Sequence, residues 1–151
     1  MTSRGRWTMG GAGSLLMAAG AWYLHGRFVA VTVRGESMAP TLLPGDRVLI
    51  RLGAAGLRPG AVAVVAAPGP GPARGWRTDP PASKDLSAVP WSLKRVVAVA
   101  GDAMPDGVMR RAPRVPPGHF VAIGDHPLSH DSKQYGPCPV DQVLGVVVRR
   151  F

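Results

Sequence analysis

The sequence predicts a mainly β protein: a partly closed arrangement of short, coiled antiparallel strands preceded by an N-terminal transmembrane helix. Three observations predict it. Gly 20 and Pro 16 among 151 residues, with 6% aromatics, favour short strands joined by turns over long helices. From Phe28 onward, extended apolar runs alternate with Gly, Pro and Asp punctuation. Ahead of them, Met9 to Leu24 carries no charge at all.

Met9 to Leu24 is shorter than the roughly 20 residues of a perpendicular membrane span. Trp22 and Tyr23 nevertheless fall where an interfacial belt belongs, and Arg4 and Arg6 lie on the side that stays inside. The expected organisation is therefore an uncleaved anchor over residues 1–27 and a β domain over residues 28–151 on the outer side. A cleaved signal peptide, with Ala18-Ala19-Gly20-Ala21 as its cleavage region, and a buried helix are the rival readings.

Strands are expected at 28–34, 47–52, 61–67, 93–100, 119–123 and 143–149. Gly69 to Pro90 is rich in Pro and Gly and has no apolar periodicity, so residues 69–90 are expected to form a mobile surface loop. Residues 110–118 form a second such connection. The chain has no internal repeat, and its length suits one modest core plus an appendage.

The formal charge is +9, from 18 Lys and Arg against 9 Asp and Glu. No basic run is interleaved with aromatics, which argues against nucleic acid as a partner. The single cysteine, Cys138, excludes an internal disulfide framework and a multi-cysteine metal site, and is expected as a small buried filler.

Three segments carry chemistry. In the first, Val33-Arg-Gly-Glu-Ser-Met-Ala-Pro40, Ser37 stands at the end of a strand between Gly35, which allows a turn closed to other residues, and Pro40. That placement holds a hydroxyl outward as a nucleophile needs, but no base is adjacent. In the second, Ser92 to Asp102, Lys94 opens a run of apolar residues. Desolvation there disfavours the ammonium form, so the amine can accept a proton near neutral pH. The bland alternative is a lysine that snorkels at a strand start. Arg95 points to the opposite face, solvated or paired with Asp125 or Asp131. The third segment, Val121 to Gly136, is an apolar strand followed by a polar loop able to hold Lys94 in place.

His126 and His130 have i, i+4 spacing close to Asp125 and Asp131. Pro127 interrupts any helix between them and no third ligand type clusters nearby, so neither a metal site nor a Ser-His-Asp triad is expected. Ser37 also lacks the Gly-x-Ser-x-Gly frame of a hydrolase elbow. Trp76 and Trp91 flank the long loop, as bilayer contacts or as ordinary packing, and Ser132 reads as a turn residue.

Taken together, the three segments resemble type I signal peptidases, the serine–lysine membrane peptidases. The resemblance rests on Gly35-Glu-Ser-Met-Ala-Pro-Thr-Leu42 with Gly45-Asp46, on Lys94-Arg-Val-Val with Gly101-Asp102, and on Gly124-Asp125 with Ser129-His-Asp-Ser-Lys133 and Gly136. The short chain and its Tyr135-Gly-Pro-Cys-Pro run are similar to small members such as the mitochondrial inner-membrane peptidases and nickel superoxide dismutase maturation proteases. The resemblance implies a membrane-anchored serine endopeptidase that cleaves signal peptides or leader segments after small residues. It acts on preproteins at the bilayer, outside the cytoplasm, with no metal or cofactor.

By position, the resemblance makes Ser37 the nucleophile and Lys94 the general base. It makes Ser129 the hydroxyl that orients the amine, and Asp125, Asp131, Arg95 and Lys133 the supporting frame. Some members have a serine two residues before the nucleophile; Gly35 stands there, so the oxyanion relies on backbone N–H groups, notably that of Ser37. The substrate would lie beside Val31–Arg34, with pockets lined by Val31, Val33, Met38, Leu42, Val48 and Leu93. The chain departs from the family pattern in Arg58-Pro-Gly-Ala61, which lacks an acid, and in Ala98-Val-Ala-Gly-Asp102, which lacks the inner Gly and Pro. Lys133 stands for an arginine and His126 for the common asparagine. Two further readings stay open: a self-cleaving repressor-type serine–lysine domain, and a membrane-tethered peptide-binding module without turnover.

Overall fold

Seven strands form one antiparallel sheet in the order β1-β2-β7-β3-β4-β5-β6 in the computed structural model, which describes residues 27–69, 75–108 and 112–151. The strands are β1 (Phe28–Thr32), β2 (Arg47–Leu52), β3 (Val62–Ala66), β4 (Trp91–Val99), β5 (His119–Ile123), β6 (Cys138–Pro139) and β7 (Val143–Arg150). The mainly β expectation holds. The expected anchor over residues 1–27 lies outside the described residues except for Arg27. Among the described residues no helix is long and apolar enough to cross a membrane.

The observed strands follow the β-branched runs, with edges moved by local hydrogen bonds. β1 stops at Thr32 because Val33 leaves the ladder to exchange bonds with the next turn: its N–H donates to Asp46 O at 2.8 Å and its carbonyl accepts from Gly45 N at 3.0 Å. β4 begins at Trp91, two residues ahead of expectation. Ala66 pairs with Trp91, and Ala67 N–H continues the contact by donating to Pro90 O. Three small elements went unanticipated: a one-turn helix α1 (Ser132–Tyr135), the two-residue β6, and a 3-10 turn at Val140–Gln142. All three lie in a stretch too short for hydrophobic periodicity to register.

Side chains alternate across the sheet, as the two-residue period of a strand requires. On β3, Val64 packs into a cluster with Val33, Met38, Leu42, Val48, Ile50, Leu93 and Leu144. Its neighbours Ala63 and Val65 point the other way, to Val96, Phe120, Ala122, Cys138 and Val143. A third cluster gathers Met104, Val108 and Val115 on Ala98 and Val121. Burial of each large side chain contributes about 1.5–3 kcal/mol. Cys138 is a free, fully buried thiol, and burial pushes its pKa far up, as suits a filler.

The sheet is curled. β1 and β5 stand five places apart in its order, yet Ser37, just after β1, accepts a hydrogen bond at its carbonyl from the N–H of His126, just after β5, at 3.1 Å. Curling brings the two loops together. The described part of the long connection, residues 75–90, carries no strand but is tied to the sheet. Trp76 Nε1 donates to Gly136 O at 2.8 Å, Gln142 Nε2 to Asp79 O at 2.8 Å, and Trp91 Nε1 to Leu86 O at 2.9 Å. Trp76 also meets Tyr135 edge-on, with ring centroids 5.5 Å apart. Both tryptophans thus fasten the connection to the body.

Candidate active site

Ser37 is positioned by the turn that ends β1. Gly35 takes φ +76°, a conformation that side chains resist, and the chain reverses there. Farther on, Asp46 accepts from Leu43 N–H at 2.9 Å and pairs with Arg150 at 3.0 Å, so the turn is closed from both sides. Met38, buried at 1% exposure, roots the segment in the core. Ser37 itself stays half-buried. Its Oγ donates to the carbonyl of Leu93 at 3.1 Å, the residue immediately before Lys94.

Lys94 lies on β4, with Val96 and Ala98 continuing its face of the strand into the core. It is 4% exposed, and Nζ donates to Ser129 Oγ at 2.6 Å. Burial pulls the lysine pKa below its ordinary value. The negative charge of Asp131 opposes that pull and the positive charge of Lys133 adds to it. An amine so placed is closer to neutrality than a surface lysine.

The loop after β5 supplies the frame. Asp131, fully buried, accepts from Gly124 N–H at 2.9 Å and from Lys133 N–H at 3.0 Å. Its own N–H donates to Gln134 Oε1 at 2.9 Å, completing a capping box on α1. The Lys133 ammonium is 3.7 Å from the same carboxylate. Ser132, read as a turn residue, is buried, and its Oγ accepts from Ala122 N–H at 3.0 Å, stitching α1 to β5.

Arg95 alternates to the other face, as expected, and grips Asp125 with two bonds. Nε donates to Oδ1 at 2.8 Å and a terminal nitrogen to Oδ2 at 2.6 Å. Its remaining nitrogen donates to Gly60 O at 2.9 Å. The arginine's hydrogen bonds hold the Asp125 carboxyl below its usual range, with Thr41 helping and partial burial opposing. A planar fork on a carboxylate fixes orientation as well as charge. Gly124 completes the junction: a Cβ there would collide with the Ser129 side chain and the Ser37 carbonyl.

Ser37, Lys94 and Ser129 line one cleft of about 640 Å³, with Glu36, Ser92, His126, Leu128, His130 and Tyr135 among its other walls. A second, larger groove of about 1120 Å³ runs beside β1, between Val29, Val31 and Arg34 on one side and residues 84–91 on the other. Of the residues assigned to substrate pockets, Val31 lines this groove. Val33, Met38, Leu42, Val48 and Leu93 lie beneath in a single apolar cluster, each at most 5% exposed.

Sequence reasoning had not assigned Ser92 to the cleft. It shares the Lys94 face of β4, and its buried hydroxyl has no hydrogen-bond partner among the described residues. Strand alternation was the signal that could have found it. Among the described residues no group of His, Cys, Asp and Glu is arranged to hold a metal ion.

A turn bearing a half-buried serine hydroxyl, a buried lysine amine and an open groove beside β1 stand together here. Residues 9–106, nearly two thirds of the chain, match the family model described as signal peptidase, peptidase S26. The chain belongs to that family, a family of serine peptidases of the signal-peptidase type. The matched span includes Ser37 and Lys94 and ends before the loop at 124–131. Among curated proteins compared with the chain, none matches.

Proposed function

We propose that this protein is a membrane-anchored serine endopeptidase that removes signal peptides or leader segments after small residues, with Ser37 as nucleophile and Lys94 as general base. The observation that carries the reading is the shared cleft: Ser37 and the buried Lys94 line the same cavity, with Ser129 holding the amine. Ser37 Oγ turns from the Leu93 carbonyl towards Lys94 Nζ, gives up its proton to the neutral amine and attacks the scissile carbonyl. The tetrahedral oxyanion is met by backbone N–H groups at the Ser37 turn, since Gly35 brings no hydroxyl. The resulting Lys94 ammonium protonates the leaving amine. Water, activated by the same lysine, then releases the acyl group.

The substrate enters as an extended segment beside β1, which is the edge strand of the sheet among the described residues. Small side chains suit shallow apolar pockets above a core already filled by Val33, Met38 and Leu93. The anchor over residues 1–27 holds the β domain over 28–151 at the outer face of the membrane.

The test is incubation of the full chain, in detergent or in vesicles, with a panel of preproteins, followed by sequencing of the new N-termini. Cleavage after small residues that disappears in Ser37→Ala and in Lys94→Ala, both still folded, is the expected result. Cleavage that persists in either variant rejects the assignment. Self-cleavage of the isolated chain would favour the repressor-type domain, and a Ser37 that resists every acylating probe would favour a binding module.

A further inference from the structure

The cleft and the β1 groove meet at the Ser37 turn, and their walls differ in chemistry. The groove takes Arg34 and Trp91, whereas the cleft takes Glu36 and Ser92, so the division falls at Gly35 on one side and between Trp91 and Ser92 on the other. Val29, Val31, Leu86, Val89 and Trp91 give the groove an apolar lining suited to a leader segment. The cleft is walled instead by His126, Leu128 and His130, with Glu36 and Tyr135 also in its lining. A peptide whose scissile carbonyl sits at Ser37, with its leader half along β1, must leave through this second cavity.

The wall is built in register with the nucleophile. His126 N–H donates to Ser37 O at 3.1 Å, and Gly124 packs against the same carbonyl. The imidazole has a defined polarity. Nδ1 accepts the N–H of Leu128 at 3.2 Å, so the proton of the neutral ring resides on Nε2, which is a donor. Of the acids of this loop, Asp125 is held by Arg95, and Asp131 by Gly124 and Lys133; Glu36, which also lines the cleft, is exposed. Leu128, 80% exposed, stands beside it as an apolar contact.

We infer that His126, Leu128 and His130 form the subsite for the residues that follow the cut, and that it selects a side chain bearing a hydrogen-bond acceptor, a carboxylate or carboxamide, directly after the scissile bond. His126 Nε2 donates to that acceptor, and Leu128 covers its aliphatic stem. The inference rests on the peptidase reading above and names the half of the substrate that the reading leaves open.

The experiment uses the full chain and peptides identical up to the scissile bond that carry Asp, Asn, Ala or Lys immediately after it. The wild type is expected to cleave the Asp and Asn peptides about tenfold more efficiently than the Ala and Lys peptides, as one hydrogen bond to a charged or strongly polar group allows. His126→Ala should reduce that ratio to about twofold or less. His126→Asn should restore much of it, because an asparagine can accept from the N–H two residues on while its NH₂ still donates. A merely structural role for His126 would lower all four peptides by one factor and leave the ratio intact. An intact ratio in His126→Ala, or equal cleavage of all four peptides by the wild type, overturns the inference while leaving the peptidase reading standing. No Ser37-dependent cleavage of any peptide removes both.

Discussion

Lys94 Nζ donates to Ser129 Oγ at 2.6 Å, and the two side chains are only 4% and 6% exposed. A lysine has a long, flexible stem, so an acceptor inside the cleft is what selects one rotamer among many. Removing it in Ser129→Ala leaves the amine without its acceptor at that point. On the proposed mechanism, the expected outcome is a fall in kcat of about 10²-fold, within the range for a mispositioned general base, with a smaller change in KM. Because the lost acceptor favours the ammonium form, the acid limb of the pH–rate profile should also move to lower pH. Steady-state kinetics across pH check both; an unchanged kcat with an unmoved limb would reject a role for Ser129 in holding the base.

The depressed pKa of Lys94 has consequences for both rate and stability. Activity should rise as pH increases through the folded pKa, which lies below the ordinary lysine value near 10.5. For stability, the unfolded chain binds the Lys94 proton more tightly than the folded one. The folded state therefore gains stability as pH rises from the folded pKa towards the unfolded value, and carries the full penalty below both. Lys94→Met, similar in volume and uncharged, should abolish cleavage yet unfold at a urea concentration no lower than the wild type at pH 7. Its advantage should shrink as pH approaches 10. Urea titrations at two pH values decide it.

Most of the sheet could be read from the sequence because its strands are β-branched runs bounded by Gly and Pro, and the 47–52 and 119–123 boundaries agree to the residue. The N-terminal span is not among the described residues. What escaped was set by contacts rather than pattern. The α1 turn exists because Asp131 and Gln134 cap each other and Ser132 reaches back to Ala122 N–H, and a four-residue helix has no periodicity to detect. Alternation on β4 put Arg95 on the face opposite Lys94 and left it solvated or paired; its pairing with Asp125 and not Asp131 depends on how the sheet curls. Likewise, five of the six residues assigned to substrate pockets form core beneath the groove. An apolar residue beside a site looks the same in sequence whether it lines the pocket or supports it.

Arg95 and Asp125 make a two-point contact that a single-point cation cannot reproduce. Arg95→Lys should retain charge but lose one of the two bonds and the reach to Gly60 O, lowering stability by about 1 kcal/mol. Asp125→Asn should cost a similar amount at pH 7, discounted because both partners keep some solvent contact. The Asp125 pKa is lowered in the fold, so its contribution is present above the unfolded carboxylate pKa and is lost as pH falls through the folded value. The wild type and Asp125→Asn should therefore converge in acid. Denaturation midpoints at pH 7 and pH 3 measure the convergence, and a constant gap between them would place the effect elsewhere.

Gly124 tests whether the two halves of the site depend on each other. Its backbone needs no left-handed conformation, so the reason for glycine is space alone. A Cβ there meets the Ser129 side chain on one side and the Ser37 carbonyl on the other, which are rooted in different ends of the curled sheet. Gly124→Ala must push one of them away. If Ser129 yields, Lys94 loses its acceptor; if the Ser37 segment yields, the His126 N–H bond to Ser37 O stretches and the Ser37 hydroxyl shifts. Either displacement should reduce kcat/KM by at least about tenfold, whereas overpacking at a loop junction should lower stability by only about 1–3 kcal/mol. Protease assays paired with urea denaturation separate the two readouts. Full activity in a well-folded Gly124→Ala protein would show that the loop after β5 and the turn after β1 do not constrain one another.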